Sequence, residues 1–263
     1  MSAAATDSSF LQQFSLAGRV ALVTGSARGL GWCIAQALAE SGAHVLINGR
    51  NGAAVEAAVA ALRERGLAAG PAVFDVANDD AVEAAFAAID RDHGRLDILV
   101  NNVGARNRKS LADASPAEVR ELIETDLVAG ILIARQAAAR MTRHGYGRLI
   151  AITSVVGELA RRGDAIYPAA KQGLTGIMRA LALEHGAQGI TSNAIAPGTF
   201  ATETNAAMVA DPNIGPVVAA RNPTGRWGRP EEIAGAAVFL ASPAASYVNG
   251  HVLVVDGGLS VQF

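Results

Sequence analysis

Cysteine is nearly missing from this chain. Cys33 stands alone, so no intrachain disulfide can form, and its place inside a helical pattern predicts an inert, buried thiol. Neither sign of charge dominates: the net charge is −2, and a basic footprint for nucleic acid is lacking. No stretch reaches the ~18 uninterrupted apolar residues of a membrane span. Met1 to Phe10 carries neither a positive n-region nor an apolar h-region, so no secretory signal is read there. The five histidines, His44, His93, His144, His185 and His251, fall without metal-ligand spacing and are predicted at the surface or at loop ends. Linkers, repeats and low-complexity boundaries are missing as well. These absences predict a cytoplasmic protein without nucleic-acid, membrane or metal partners. What is plentiful is apolar material: 51% of the 263 residues are hydrophobic and 17% charged, enough for one sizeable core.

Val20-Ala21-Leu22-Val23 is an apolar run of strand length. It ends in Thr24-Gly25-Ser26-Ala27-Arg28-Gly29-Leu30-Gly31, and a helical pattern follows with Leu30, Ile34 and Leu38 on one face. Strand, tight turn and helix start together make a pyrophosphate site. Glycines let backbone N–H groups approach the anion, and the helix start offers unpaired donors and a positive dipole end. The spacing is G-x-x-x-G-x-G rather than G-x-G-x-x-G, and no Lys-Ser/Thr follows as a P-loop requires. A turn that merely packs a helix on a strand is the alternative for these residues alone.

Residues 1–15 read as a mobile arm, with Phe10, Leu11 and Phe14 placed to dock. From residue 16 to 263, strand and helix patterns alternate. Strands are predicted at Val45 to Ile47, within Pro71 to Asp75, and at Asp97 to Val100, Arg148 to Thr153, Ile190 to Ile195 and Val252 to Val255. Asn78 is placed to cap one helix. Ser115-Pro116-Ala117-Glu118 is a capping box with proline at the first helical position, opening one long helix toward Gly145. Another helix covers about Ala165 to His185, and Pro230 opens a later one. Such alternation predicts a single α/β domain: a doubly wound parallel sheet with helices on both faces and right-handed crossovers. Ligands bind beyond the carboxyl ends of such strands. The Gly turn, Arg50, Asn102, Ser154 and Pro197 all fall at those ends.

Tyr167 and Lys171 are spaced i and i+4, on one helix face. A free phenol titrates near ~10. A neighbouring cation favours phenolate, which predicts a lowered Tyr167 and an acid/base usable near neutrality. Ser154, at a strand end, is placed to hydrogen-bond a substrate oxygen. A half-buried Tyr beside a solvated Lys is the plain alternative.

Taken in order, T-G-x-x-x-G-x-G at Thr24 to Gly31, N-N-x-G at Asn101 to Gly104, Ser154, Tyr167-x-x-x-Lys171 and Asn193-x-x-x-Pro197-Gly198 resemble the short-chain dehydrogenase/reductase family over residues 16–263. The resemblance implies a Rossmann fold and a nicotinamide cofactor held by the Gly turn (Gly25, Ala27, Arg28, Gly29, Leu30, Gly31). Tyr167 is then the general acid/base, Lys171 binds the nicotinamide ribose, and Ser154 orients the substrate. Asn102 would lie along the cofactor, Asp75 and Val76 near the adenine and Thr202 near the carboxamide, with Gly104, Pro197 and Gly198 also binding the cofactor. A homotetramer is implied too, with the helices near 115–143 and 165–185 packed against copies of themselves. In the family, the long helix before the fifth strand carries an Asn that supports a water linked to the catalytic Lys. Asp126 stands there instead, which puts the usual proton relay in question.

The second strand ends in Asn48-Gly49-Arg50, without the acid that NAD-preferring sites place there for the ribose 2′-hydroxyl. Arg50 and Arg28 are placed for charge-assisted bonds to a 2′-phosphate, so NADP is expected over NAD. Stretches such as Glu158-Leu159-Ala160-Arg161 and Phe200-Ala201-Thr202-Glu203 resemble the branch that interconverts D-gluconate and 5-ketogluconate. A sugar acid needs a cation for its carboxylate; Arg106, Arg108, Glu158 and Arg161 flank the expected crevice. A reductase of 3-ketoacyl thioesters or other small ketones, and an NADP-binding sensor with little catalysis, are the alternatives.

Overall fold

Every residue of the first strand, β1 (Val20–Val23), is buried, as its unbroken apolar run requires. β2 (His44–Gly49), β3 (Ala69–Val73), β4 (Ile98–Asn101), β5 (Gly147–Ile152), β6 (Ile190–Pro197) and β7 (Val252–Val255) join it in one sheet. All pairings are parallel, in the order β3-β2-β1-β4-β5-β6-β7. The computed structural model describes residues 10–262. Pro71 lies in β3, at the sheet edge, where a missing N–H costs least.

The helices are α1 (Gly29–Glu40), α2 (Gly52–Glu64), α3 (Asp79–His93), α4 (Pro116–Ile123), α5 (Ala129–His144), α6 (Val156–Leu159), α7 (Ile166–His185), α8 (Ala206–Ala210), α9 (Gly215–Ala220) and α10 (Ala234–Ala241). Apolar side chains of α1, α2 and α10, among them Ile34, Leu38, Val59, Leu62 and Leu240, cover one face of the sheet. Phe86 of α3, Ile133 and Met141 of α5 and Met178 of α7 cover the other. The expected doubly wound parallel sheet is therefore present. β1 and β4 are neighbours whose outgoing connections lead to opposite faces. That reversal opens a crevice at their carboxyl ends.

Local signals explain the boundaries. Asn51 and Asn78 accept hydrogen bonds from Ala54 N–H and Ala81 N–H, at 3.1 and 2.9 Å, and cap α2 and α3. The Ser115 capping box forms as expected: Ser115 Oγ accepts from Glu118 N–H at 3.2 Å, and Glu118 Oε2 accepts from Ser115 N–H at 2.9 Å. The long helix it opens is not uniform. A π-helical turn at Glu124–Val128 separates α4 from α5. That one-residue excess re-aims the side chains that follow it, and Asp126 lies within it, buried.

Of the expected arm, residues 1–9 lie outside the described residues. Phe10–Phe14 forms a 3₁₀ turn, with Phe14 packed beside Phe239 at 6.5 Å between ring centroids. His44 and His93, expected at the surface or at loop ends, are partly buried against each other, their tilted rings 4.7 Å apart between centroids where the start of β2 meets the end of α3. Cys33 is only partly buried. Desolvation, then Glu231 and Glu203, still push its thiol above the usual range, which suits an inert group. Among the described residues, no helix is long and apolar enough to cross a membrane.

Candidate active site

Gly25 and Gly29 open the turn after β1 with φ of +60° and +59°, a conformation that glycine adopts without penalty. Gly31 serves a different need. A Cβ there would lie 2.5 Å from the Gly25 carbonyl oxygen and from Asn102 Nδ2, so α1 approaches the turn only because that carbon is missing. Asn48 fixes the turn to its neighbours. Its Oδ1 accepts from Gly25 N–H at 3.1 Å, and its Nδ2 donates to the Ala72 and Phe74 carbonyls at 2.9 and 3.1 Å. Asn102 braces the opposite side: Nδ2 donates to the Thr24 and Gly25 carbonyls at 3.0 and 3.1 Å. The family resemblance set Asn102 along the cofactor; here its amide is committed to the turn.

Arg28 precedes α1 without a side-chain cap. The first N–H groups of the helix are left for an anion, so the cradle fits a pyrophosphate. Ala27 and Leu30 pack against the core behind it. Arg28 and Arg50 are exposed. Arg50 Nη1 lies 3.6 Å from Asp75 Oδ2, an exposed pair of the kind worth ~0–1 kcal/mol. Asp75 Oδ1 accepts from Ala77 N–H at 3.0 Å, and the Val76 side chain is buried. On the far side of the crevice, Pro197 ends β6. A Cβ on Gly198 would lie 2.6 Å from Asp256 Cβ, where the chain after β7 crosses. Thr202 N–H donates to the Phe200 carbonyl at 2.9 Å.

The residues expected to form the acid/base group lie beyond β4 and β5. Ser154 follows β5, its Oγ accepting from Val156 N–H at 3.2 Å. Tyr167 and Lys171 share the first turns of α7, with Lys171 Nζ 5.6 Å from the Tyr167 ring centroid. The Lys171 side chain is 3% exposed; Nζ donates to the Val103 and Ile152 carbonyls at 3.4 and 3.3 Å. Gly104 makes room for it, since a Cβ there would stand 2.7 Å from Nζ. Asp126 lies behind the ammonium. Its Oδ2 is 3.8 Å from Nζ and has no hydrogen-bond partner, while Oδ1 accepts from Ala105 N–H at 2.6 Å.

Burial governs the titration of this group. It pushes the Tyr167 phenol above its ordinary value. Arg106 opposes that, Asp126 reinforces it, Ser154 opposes it and Asp164 adds weakly to it. The lowering expected for this phenol is thus overturned: burial dominates, and the cation that opposes it is Arg106. Burial also pushes Lys171 below the usual ammonium range and Asp126 above the usual carboxylate range, each partner opposing the other's shift.

The arginines expected at the crevice divide. Arg106 is ion-paired to the buried Asp164, Nε donating to Oδ2 at 2.7 Å and Nη2 to the same oxygen. Arg108 Nη2 donates to Asn205 Oδ1 at 3.2 Å; burial, then Arg106 and Arg161, push its guanidinium below the usual range. Arg161 and Glu158 are exposed. Sequence reading missed Asp164. Its only signal was an acid three residues before Tyr167, and its partner lies 58 residues away along the chain.

Residues 25–260 match the family described as Enoyl-(Acyl carrier protein) reductase. The chain is 44% identical over 249 residues to gluconate 5-dehydrogenase of Gluconobacter oxydans (strain 621H), covering 95% of this chain and 97% of that one. It is 38% identical over 248 residues to 5-keto-D-gluconate 5-reductase of Escherichia coli (strain K12), covering 94% and 98%. Among solved structures, a gluconate 5-dehydrogenase from Burkholderia cenocepacia J2315, in complex with NADP and tartrate, superposes with a TM-score of 0.93 at 41% identity, covering 96% of this chain and 99% of that one. With the family match, these relatives and the closely superposing fold, the chain belongs to the short-chain dehydrogenase/reductase family.

Proposed function

We propose that the chain is an NADP-dependent oxidoreductase acting on a CH–OH group of a small polyhydroxy acid, interconverting D-gluconate and 5-ketogluconate. The observation that carries this reading is the gathering of Ser154, Tyr167 and Lys171 beside a turn shaped for a pyrophosphate. Similarity to the gluconate enzymes supports the substrate, and the NADP in the Burkholderia structure supports the cofactor. The Gly turn and the start of α1 would hold the pyrophosphate. Arg28 and Arg50 would meet the 2′-phosphate, Asp75 and Val76 the adenine, Lys171 the ribose, and Gly104, Pro197, Gly198 and Thr202 the nicotinamide end. When bound, the cofactor supplies the hydride acceptor or donor.

The chain's own residues move the proton and place the substrate. In alcohol oxidation the hydroxyl proton passes to the Tyr167 phenolate, while Ser154 holds the substrate oxygen and the Lys171 ammonium favours the phenolate. In ketone reduction the protonated phenol gives the proton back. Arg108 and Arg161 supply cations for the carboxylate; burial, with Arg106 and Arg161 nearby, depresses Arg108, so an anion there is favoured. Arg106, already paired to Asp164, contributes less to that role than its position in the sequence suggests. We propose a homotetramer as the working form. Leu183 at the end of α7 and Tyr247 are 88% and 102% exposed, apolar surface that a second copy would cover.

The test is a panel of sugar acids, polyols and a 3-ketoacyl thioester, each with NADP and NAD, run on wild type and Tyr167→Phe. Turnover of gluconate with NADP, lowered by ~10²- to 10⁴-fold in Tyr167→Phe with cofactor binding kept, is the expected result. Preferred turnover of the thioester would replace the substrate assignment. Wild-type rates in Tyr167→Phe would remove the acid/base assignment.

A further inference from the structure

Arg106 and Asp164 come from separate segments. Arg106 follows β4, and Asp164 lies in the stretch between α6 and α7. Asp164 is 1% exposed, and one oxygen, Oδ2, takes both donors from Arg106. Its other oxygen, Oδ1, is buried without a partner. A carboxylate so deeply buried depends on that guanidinium for its compensation. The pair does not stand apart from the acid/base group: the Arg106 guanidinium carbon lies 4.8 Å from the centroid of the Tyr167 ring. That is closer than the Lys171 ammonium, at 5.6 Å. The two cations also differ in what neutralises them. Lys171 faces Asp126 at 3.8 Å, inside the protein. Arg106 faces Asp164, and of these two partners Arg106 acts the more strongly on Tyr167.

We propose that the Arg106–Asp164 pair is a second electrostatic support for Tyr167: Arg106 holds a positive charge against the phenol ring, and Asp164 holds Arg106 there. Arg106 is a positioning residue in this role, acting through Tyr167 rather than on the substrate. The charged groups around the phenol are then Arg106 and Arg108 from the segment after β4, Asp126 from the π-helical turn, Asp164 before α7, and Lys171 on α7 itself. The Ser154 hydroxyl completes the set. Burial and Asp126 favour the neutral phenol; Arg106 is the principal group on the other side. Oxidation of an alcohol needs phenolate, so its rate rises with pH through the apparent pKa of Tyr167. Removing Arg106 must move that rise to higher pH.

The inference rests on Tyr167 being the acid/base, and the experiment separates the two. Arg106→Gln alone strands the buried Asp164 carboxylate and risks unfolding. The informative variant is therefore Arg106→Gln with Asp164→Asn, an amide pair that leaves no uncompensated charge. Arg106→Lys keeps the charge. Two readouts are used: the pH profile of kcat for alcohol oxidation, and ring-carbon NMR of isotope-labelled tyrosine in the cofactor-free protein. With three tyrosines in the chain, Tyr167→Phe assigns the signal. In the double variant both midpoints should rise by about one pH unit, and in Arg106→Lys both should stay near wild type. A pair that only stiffens the loop would lower kcat evenly across pH without moving either midpoint, and that result would overturn the inference. So would a midpoint shift in Arg106→Lys as large as in the double variant. Undiminished turnover in Tyr167→Phe would defeat the acid/base reading, while the NMR titration would still decide whether Arg106 polarises the ring.

Discussion

A carboxylate buried behind an ammonium makes two opposing demands on the phenol in front. Asp126 stabilises the charge of Lys171, which helps a phenolate, and it adds negative charge near Tyr167, which opposes one. Tyr167, Lys171 and Asp126 titrate as a coupled set, so only apparent values are measurable. The second effect is the one that reaches the phenol: Asp126 raises Tyr167. Asp126→Asn removes that charge at nearly constant shape. The apparent pKa limiting alcohol oxidation should fall, with activity kept or increased, as read from pH–rate profiles of the two proteins. Superimposable profiles would rule out an electrostatic role for this carboxylate. The direction is opposite to that expected for the amide pair at Arg106 and Asp164, so the two changes together test the sign of each charge around one ring.

α4 begins where its sequence says it should, and its start sets the path into the π-helical turn that buries Asp126. Ser115→Ala removes the side-chain acceptor for Glu118 N–H and should cost about 1 kcal/mol, measured by chemical denaturation. Glu118 is held down to about 2 by Lys109 and by the N–H and hydroxyl of Ser115. A carboxyl lowered on folding adds stability above its unfolded value near 4.5. That stability disappears as pH falls toward 2. The denaturation midpoint of wild type should therefore drop across that acid window more steeply than that of Ser115→Ala. Strand runs, Asn and Ser caps and the Gly turn were legible because each is a local signal of a few residues. The π-helical turn was not: a single extra residue hardly disturbs an apolar pattern of period 3.6, so residues 115–145 read as one helix. Asp164 was not legible either, since its meaning depends on Arg106, brought beside it only by the packing of two loops. The direction of the Tyr167 shift was misread for a related reason. Spacing reveals the neighbouring cation, but not how much water the fold removes.

For the molecule as a whole, cofactor binding is coupled to folding. A ligand at 100 times its Kd adds ~2.7 kcal/mol to the stability of the form it binds. NADP should therefore raise the melting temperature more than NAD at equal concentration. The Arg50–Asp75 pair is exposed and weak, so Arg50 is readily drawn to a 2′-phosphate. Arg50→Ala should remove a charge-assisted bond of ~1.5 to 3 kcal/mol, roughly a 10- to 150-fold loss in NADP affinity. The melting difference between the two cofactors should shrink with it, as thermal denaturation with each cofactor would reveal. Equal losses for NADP and NAD would mean that Arg50 does not read the 2′ position.

Asn48 gives that coupling a particular character. Its one amide ties the Gly25 N–H to the Ala72 and Phe74 carbonyls, so the floor of the cradle and its outer wall cannot drift apart. The entropy of shaping this surface is surrendered when the chain folds and not when a ligand arrives. Encounter is then a docking event on a surface already shaped.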